Sequence, residues 1–168
     1  NFQTGMIGTY TVGQGGDYTT LTAAVNAYNS RSLCGHVNFE LINAAYNTTN
    51  GEIFPIVLNE NPDASATRTL TIRPSAIQNS ILSGSTASGQ ALLKLHGPDY
   101  VIIDGINSGG SSLTIENTST STNTAAIWLA SLGAGLGANH NTIRNCNIKA
   151  GINTTTSIFG IYAGNTTL

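Results

Sequence analysis

Charge is what this sequence has least of. Asp, Glu, Lys and Arg together make up 8% of 168 residues, against about 25% in ordinary globular domains. The six basic residues stand singly, so no basic stripe exists to follow a phosphate backbone and no nucleic-acid partner is expected. No apolar run approaches the ~20 residues of a membrane-spanning helix, so no membrane span is expected. Cysteine is confined to Cys34 and Cys146, without a C-x-x-C spacing. Two isolated thiols are expected, rather than a metal site or a disulfide framework. Neither an acidic cluster nor a phosphate-binding glycine fingerprint is present: the Gly-rich GAGLGAN, Gly133–Asn139, follows a strand but opens no helix. No cofactor is expected. The opening residues, NFQTG, carry no basic and apolar leader, which suits a processed secreted chain or a cytosolic one.

What fills the gap is Thr, Ser, Asn and Gly. Hydrophobic residues make up 40%, enough for a sizeable core, and the length suits one domain or part of a larger protein. Asn and Gly accept the left-handed backbone of tight turns, and Thr is β-branched. The composition describes short strands joined by many turns, with an exterior made polar by hydroxyls and amides.

Thr9–Val12 reads as a first strand ending in the turn GQGGD. Thr20–Asn29 is the single clear helix, with Leu21, Ala24, Val25 and Tyr28 at helical spacing and Thr19 or Thr20 as its cap. Val37, Phe39 and Leu41 alternate with polar neighbours, a strand with one buried face. Asn43–Asp63 is irregular, with a short apolar run at Ile56–Leu58. After it the punctuation becomes regular. Short strands follow at Leu70–Arg73, Ile81–Leu82, Leu92–Leu95, Val101–Asp104, Leu113–Glu116, Ala126–Leu129, Thr142–Arg144, Cys146–Ile148 and Phe159–Ala163.

The spacing turns this series into a fold. Leu93, Ile127 and Ile161 stand 34 residues apart in succession, as do Leu95, Leu129 and Ala163. Ile81 and Ile115 share the same step. Phe39, Ile72, Ile103 and Ile143 form a looser series, stretched at its end by GAGLGAN. A period within ~20–50 residues built of short strands means stacked repeats. With three strands and no helix per repeat, the expected fold is an all-β solenoid, a right-handed three-sheet parallel β-helix. Residues 1–36 form its N-terminal strand and α-helical cap. Residues 37–168 form about three to four turns, expected to continue in a parent protein. Columns of like residues result. Phe39/Ile72/Ile103/Ile143 and Leu93/Ile127/Ile161 face inward, each buried Ile or Leu being worth roughly 1.5–3 kcal/mol. Arg73/Asp104/Arg144 and Lys94/Trp128/Tyr162 face outward.

Two resemblances attach to these residues. VGQGGDYTTLTAAVNAYN, Val12–Asn29, resembles the capped opening of pectin-lyase-fold proteins, notably pectin methylesterases. DASATRTLTIRPS, LLKLHGPDYVIIDGIN, LTIENTSTS and NHNTIRNCNI resemble β-helix repeats of large secreted surface proteins of Bacteroidetes and related bacteria. Many of those leave the cell by the type 9 secretion system. The likeness covers most of Thr9–Gly164 and implies an extracellular or cell-surface location. It does not carry the esterase chemistry across. That family's two aspartates, oxyanion-hole glutamines and substrate arginine have no counterparts: TAAIWLAS, Thr124–Ser131, holds no Gln, and NCNIKAGIN, from Asn145, holds no Gln-Asp pair.

Several residues were candidates for chemistry. Asp104 stands between Arg73 and Arg144, either as a sugar-contacting carboxylate or as a rung of a surface charge ladder, and the ladder is favoured. Glycoside hydrolysis generally needs two carboxyl groups. Lys94, Trp128 and Tyr162 form the candidate carbohydrate-binding column, because flat rings at a fixed rise can track a polysaccharide. Its competing reading, which is favoured, has the rings covered by a loop or packed on each other. His36, His96 and His140 read as turn residues, and Glu60 with Asp63 as an ordinary acidic loop. The expectation is a non-catalytic structural or adhesive module that contacts polysaccharide or another cell-surface protein. A pectin esterase or lyase is the alternative, and end-to-end self-association into a fibre is the third reading.

Overall fold

A computed structural model describes residues 4–152, 158–165, 167 and 168. The chain runs through β1 (Met6–Val12), helix α1 (Leu21–Ser30), β2 (Leu33–Leu41) and β3 (Ala45–Tyr46). A single 3-10 turn, Thr48–Asn50, leads to β4 (Ile56–Asn59). Then follow β5 (Leu70–Pro74), β6 (Asn79–Gly84), β7 (Ala91–His96), β8 (Val101–Asp104) and β9 (Ser112–Asn117). The last strands are β10 (Thr124–Ala130), β11 (Thr142–Arg144), β12 (Cys146–Lys149) and β13 (Ile158–Gly164).

These strands sort into three sheets. The first has the order β1-β2-β5-β8-β11, the second β12-β9-β6-β3 and the third β13-β10-β7-β4. Every pairing is parallel. From β2 onward each turn of chain therefore lays one strand on each sheet, with β1 as an additional strand on the first, and the result is an all-β solenoid of about five turns. It is consistent with a right-handed parallel β-helix, the hand that nearly all parallel crossovers take.

The inward columns fall where the spacing predicts. Phe39 pairs with Ile72, Ile72 with Ile103 and Ile103 with Ile143. Leu93, Ile127 and Ile161 align in the third sheet. Inside lies one continuous core of aliphatic and aromatic side chains that also takes in Leu21, Ala24, Val25 and Tyr28 of α1. The helix thus plugs one end of the coil. Thr20 caps it, its hydroxyl accepting from the Ala23 N–H at 3.0 Å.

Two details differ from the sequence-based expectation. There are about five turns rather than three to four: β1 adds a strand to the first sheet, and the irregular Asn43–Asp63 supplies β3 and β4, which complete a turn begun by β2. Its β3 has only two residues, too few to show alternation, yet Tyr46 is buried and hydrogen-bonds the Val12 carbonyl. The second sheet is also offset by one residue: Leu82, not Ile81, pairs with Ile115. Ile81 faces outward, 43% exposed, and Leu82 is 1% exposed. A one-residue slip in a period-two strand exchanges the faces, and two adjacent aliphatics hide the slip.

Polar side chains tie successive corners together. Ser111 Oγ donates to the Ser75 carbonyl and accepts from the Ile77 N–H, 3.0 and 2.9 Å. Buried Asn117 donates to Thr86 Oγ1 and to the Ala125 carbonyl, and Ser119 Oγ donates to the Thr86 carbonyl. Gly105 is required by close approach, since a Cβ there would stand 2.1 Å from the Asn145 carbonyl oxygen.

Candidate functional site

The third sheet places Lys94, Trp128 and Tyr162 in one column, adjacent on successive strands, with Val57 of β4 at its head. The column lies outside the main core, and it is covered. Trp128 is only 1% exposed. With Ala91, Ala125 and Ala130 it forms a second, smaller cluster, against which Phe159, Tyr162 and Leu168 pack. Tyr162 meets the indole edge-to-face at 6.0 Å, and Phe159 lies 5.0 Å from Tyr162. Lys94 Nζ sits 3.9 Å from the indole centroid, within cation–π range. Burial lowers the pKa of Lys94, and that of His96 is lowered by burial and by the Lys94 charge.

The three candidate residues are thus brought together, and the faces of Trp128 are occupied by protein. A pyranose stacking on Trp128 would need a bare ring. What reaches solvent here is the Lys94 ammonium, the half-buried Tyr162 and His96. The covered column agrees with the reading in which the rings pack on each other, and Leu168, which belongs to no strand, also packs against the cluster.

The Asp104 column is a charge ladder. Glu40 pairs with Arg73, N to O 2.5 Å, and Asp104 with Arg144 at 2.8 Å. Burial pushes the Asp104 pKa up, but the Asn145 amide, the Ile106 N–H and Arg144 together outweigh it and hold it below the usual value. The other carboxylates are similarly engaged. Asp17 accepts from the Thr11 N–H and hydroxyl, Asp63 from the Leu33 N–H and Asp99 from the Asn139 N–H. Glu116 pairs with Lys149 at 3.6 Å. Glu52, 3% exposed, accepts from the Leu21 N–H at 2.6 Å and the Thr22 N–H at 2.8 Å, which neutralises the N-terminus of α1. Only Glu60 is left without such a partner among the described residues.

Of the three histidines only His140 sits in a corner, stacked on Tyr100 at 4.7 Å; His36 lies within β2, its Nδ1 2.9 Å from Thr69 Oγ1, and His96 ends β7, because both belong to strands longer than the apolar alternation showed. Among the described residues, no three His, Cys, Asp or Glu side chains gather in a metal-binding group. Both thiols are unpaired, and burial raises that of Cys146 to about 11.

Sequence reasoning missed one feature, a cleft of about 290 Å³ between α1 and β4. Thr22, Asn26 and Asn29 line it from the helix, and Ile53, Pro55, Ile56, Val57 and Asn59 from below. Strand β4 is the edge of the third sheet, with no strand beyond it among the described residues. Asn29 takes part of a missing strand's place. Its Nδ2 donates to the Val57 carbonyl at 2.8 Å, and its Oδ1 accepts from the Asn59 N–H at 3.0 Å. The Thr22, Asn26, Asn29 spacing was a signal in the sequence, a polar stripe opposite the apolar face of the helix.

Compared with family models, curated proteins and solved structures, the chain matches none of them significantly.

Proposed function

We propose that this chain is a non-catalytic structural or adhesive module of a bacterial extracellular or cell-surface protein, with glycan as its ligand. The observation that carries the reading is the use of the carboxylates. Seven of the eight are engaged in holding turns, rungs or the helix cap. A glycan-cleaving site of the common two-carboxylate kind needs a pair converging on one groove, and a metal-assisted lyase needs a ligand cluster. The exterior of amides and hydroxyls suits a neutral, hydroxyl-rich partner. The likeness of the repeats to those of secreted Bacteroidetes surface proteins, and of Val12–Asn29 to the pectin-lyase-fold cap, supports the location.

The test is affinity electrophoresis through gels containing single polysaccharides, with product release measured on the same polymers. Retardation without product is expected. Turnover that disappears in Asp104→Asn would instead favour the esterase or lyase reading.

A further inference from the structure

We infer that the cleft between α1 and β4 binds an N-acetylated sugar through its acetamido group. This rests on the reading of the chain as a glycan-contacting module, and it names the site and the chemical class of the sugar. The backbone of β4 sets the geometry of the cleft. Along a strand, the N–H and C=O of alternate residues point to the same edge. Asn29 engages the Val57 carbonyl and the Asn59 N–H, so residues 57 and 59 present their groups toward α1. The Val57 N–H points the same way, into the cleft.

The helix side of the cleft is lined by the exposed side chain of Asn26, three residues before Asn29. A trans secondary amide carries its C=O and N–H on opposite sides. Lying between the two elements, it accepts from the Val57 N–H and donates to Asn26 Oδ1. The molecule already places one amide on this edge, the Asn29 side chain, and the ligand amide takes the neighbouring place.

The remaining lining selects the rest of the ligand. Ile53, 69% exposed, and Pro55 offer an apolar surface for the acetyl methyl. The exposed Asn59 amide is left for a sugar hydroxyl, since the Thr22 hydroxyl is held by Glu52 and the Ile53 N–H. No charged side chain lines the cleft, which disfavours uronic acids and charged peptides. At about 290 Å³ it suits one sugar ring at the end or edge of a chain.

The experiment titrates the ¹⁵N-labelled protein with chitotriose and follows amide shifts. Saturable shifts centred on Val57, Asn59 and Asn26 are expected. Cellotriose, identical but for the acetamido groups, should bind at least about tenfold more weakly, as should the Asn26→Ala/Asn59→Ala variant toward chitotriose. Equal affinity for cellotriose, or shifts that leave β4 untouched, would overturn the inference. Equal binding of N-acetylalanine methylamide would reassign the site to peptide. Binding of either trisaccharide elsewhere on the protein would sink this site while leaving the glycan-contacting reading standing.

Discussion

Replacing the buried loop residue Glu52 with Ala should be strongly destabilising, for reasons that lie in three short hydrogen bonds. Its carboxylate accepts from the Leu21 N–H at 2.6 Å, the Thr22 N–H at 2.8 Å and the Thr22 hydroxyl at 2.5 Å. The first two are helix N-terminal donors that no intrahelical carbonyl can reach. A hydrogen bond to a charged acceptor contributes roughly 1.5–3 kcal/mol. Removing the side chain strands two N–H groups beside a plugged core. Part of that loss is offset, because a carboxylate 3% exposed no longer has to be desolvated. The net destabilisation should be about 3 kcal/mol, or about 6–12 °C in Tm for a chain of this size. Glu52→Gln keeps one acceptor oxygen and should lose about half as much. Urea unfolding followed by far-UV circular dichroism measures both variants. The fluorescence of Trp128, the sole tryptophan, reports whether damage at the helix end reaches the far turns of the stack. Loss of less than about 0.5 kcal/mol in Glu52→Ala, or equal loss in both variants, would refute the account of the cap.

Three further outcomes follow from particular contacts. Leu82→Ala should cost about 2–5 kcal/mol and Ile81→Ala under about 0.5 kcal/mol, which urea titration of the two variants checks. Trp128 should emit at short wavelength and resist acrylamide quenching, and Trp128→Ala should lose about 3–5 kcal/mol; a red-shifted, quenchable emission would mean the column is open. Asp104 has a folded pKa below its unfolded value, so its stabilising contribution is complete above about pH 4 and is lost as pH falls through the folded value. In Arg144→Ala/Asn145→Ala an NMR titration should find that pKa raised toward the ordinary range, and no change would mean those partners do not hold it down.

The parts of the fold that repeat were legible, and the parts that break the repeat were not. Leu93, Ile127 and Ile161 keep a constant step because each occupies the same place in the third sheet. The outward Lys94–Trp128–Tyr162 column follows from the same arithmetic. Ile81 misled because Leu82 beside it is equally apolar, so hydrophobicity alone could not choose the inward residue. The turn containing β3 was hidden because two residues carry no period. Glu52 carries no local sign of its role: it caps a helix some 30 residues earlier, across a contact that only the coil creates. Burial of Trp128 was within reach of the sequence, because rings on adjacent rungs can pack on each other, whereas the packing of Leu168 against that cluster lies outside the 34-residue rhythm.

The central claim is that the carboxylates are fixtures of the scaffold and that the module holds glycan without cleaving it. The most direct measurement is mass spectrometry of polysaccharides after prolonged incubation with the wild-type protein and with Asp104→Asn. Unaltered polymer with both proteins is predicted. Shortened, de-esterified or unsaturated products from the wild type that are absent with Asp104→Asn would contradict it.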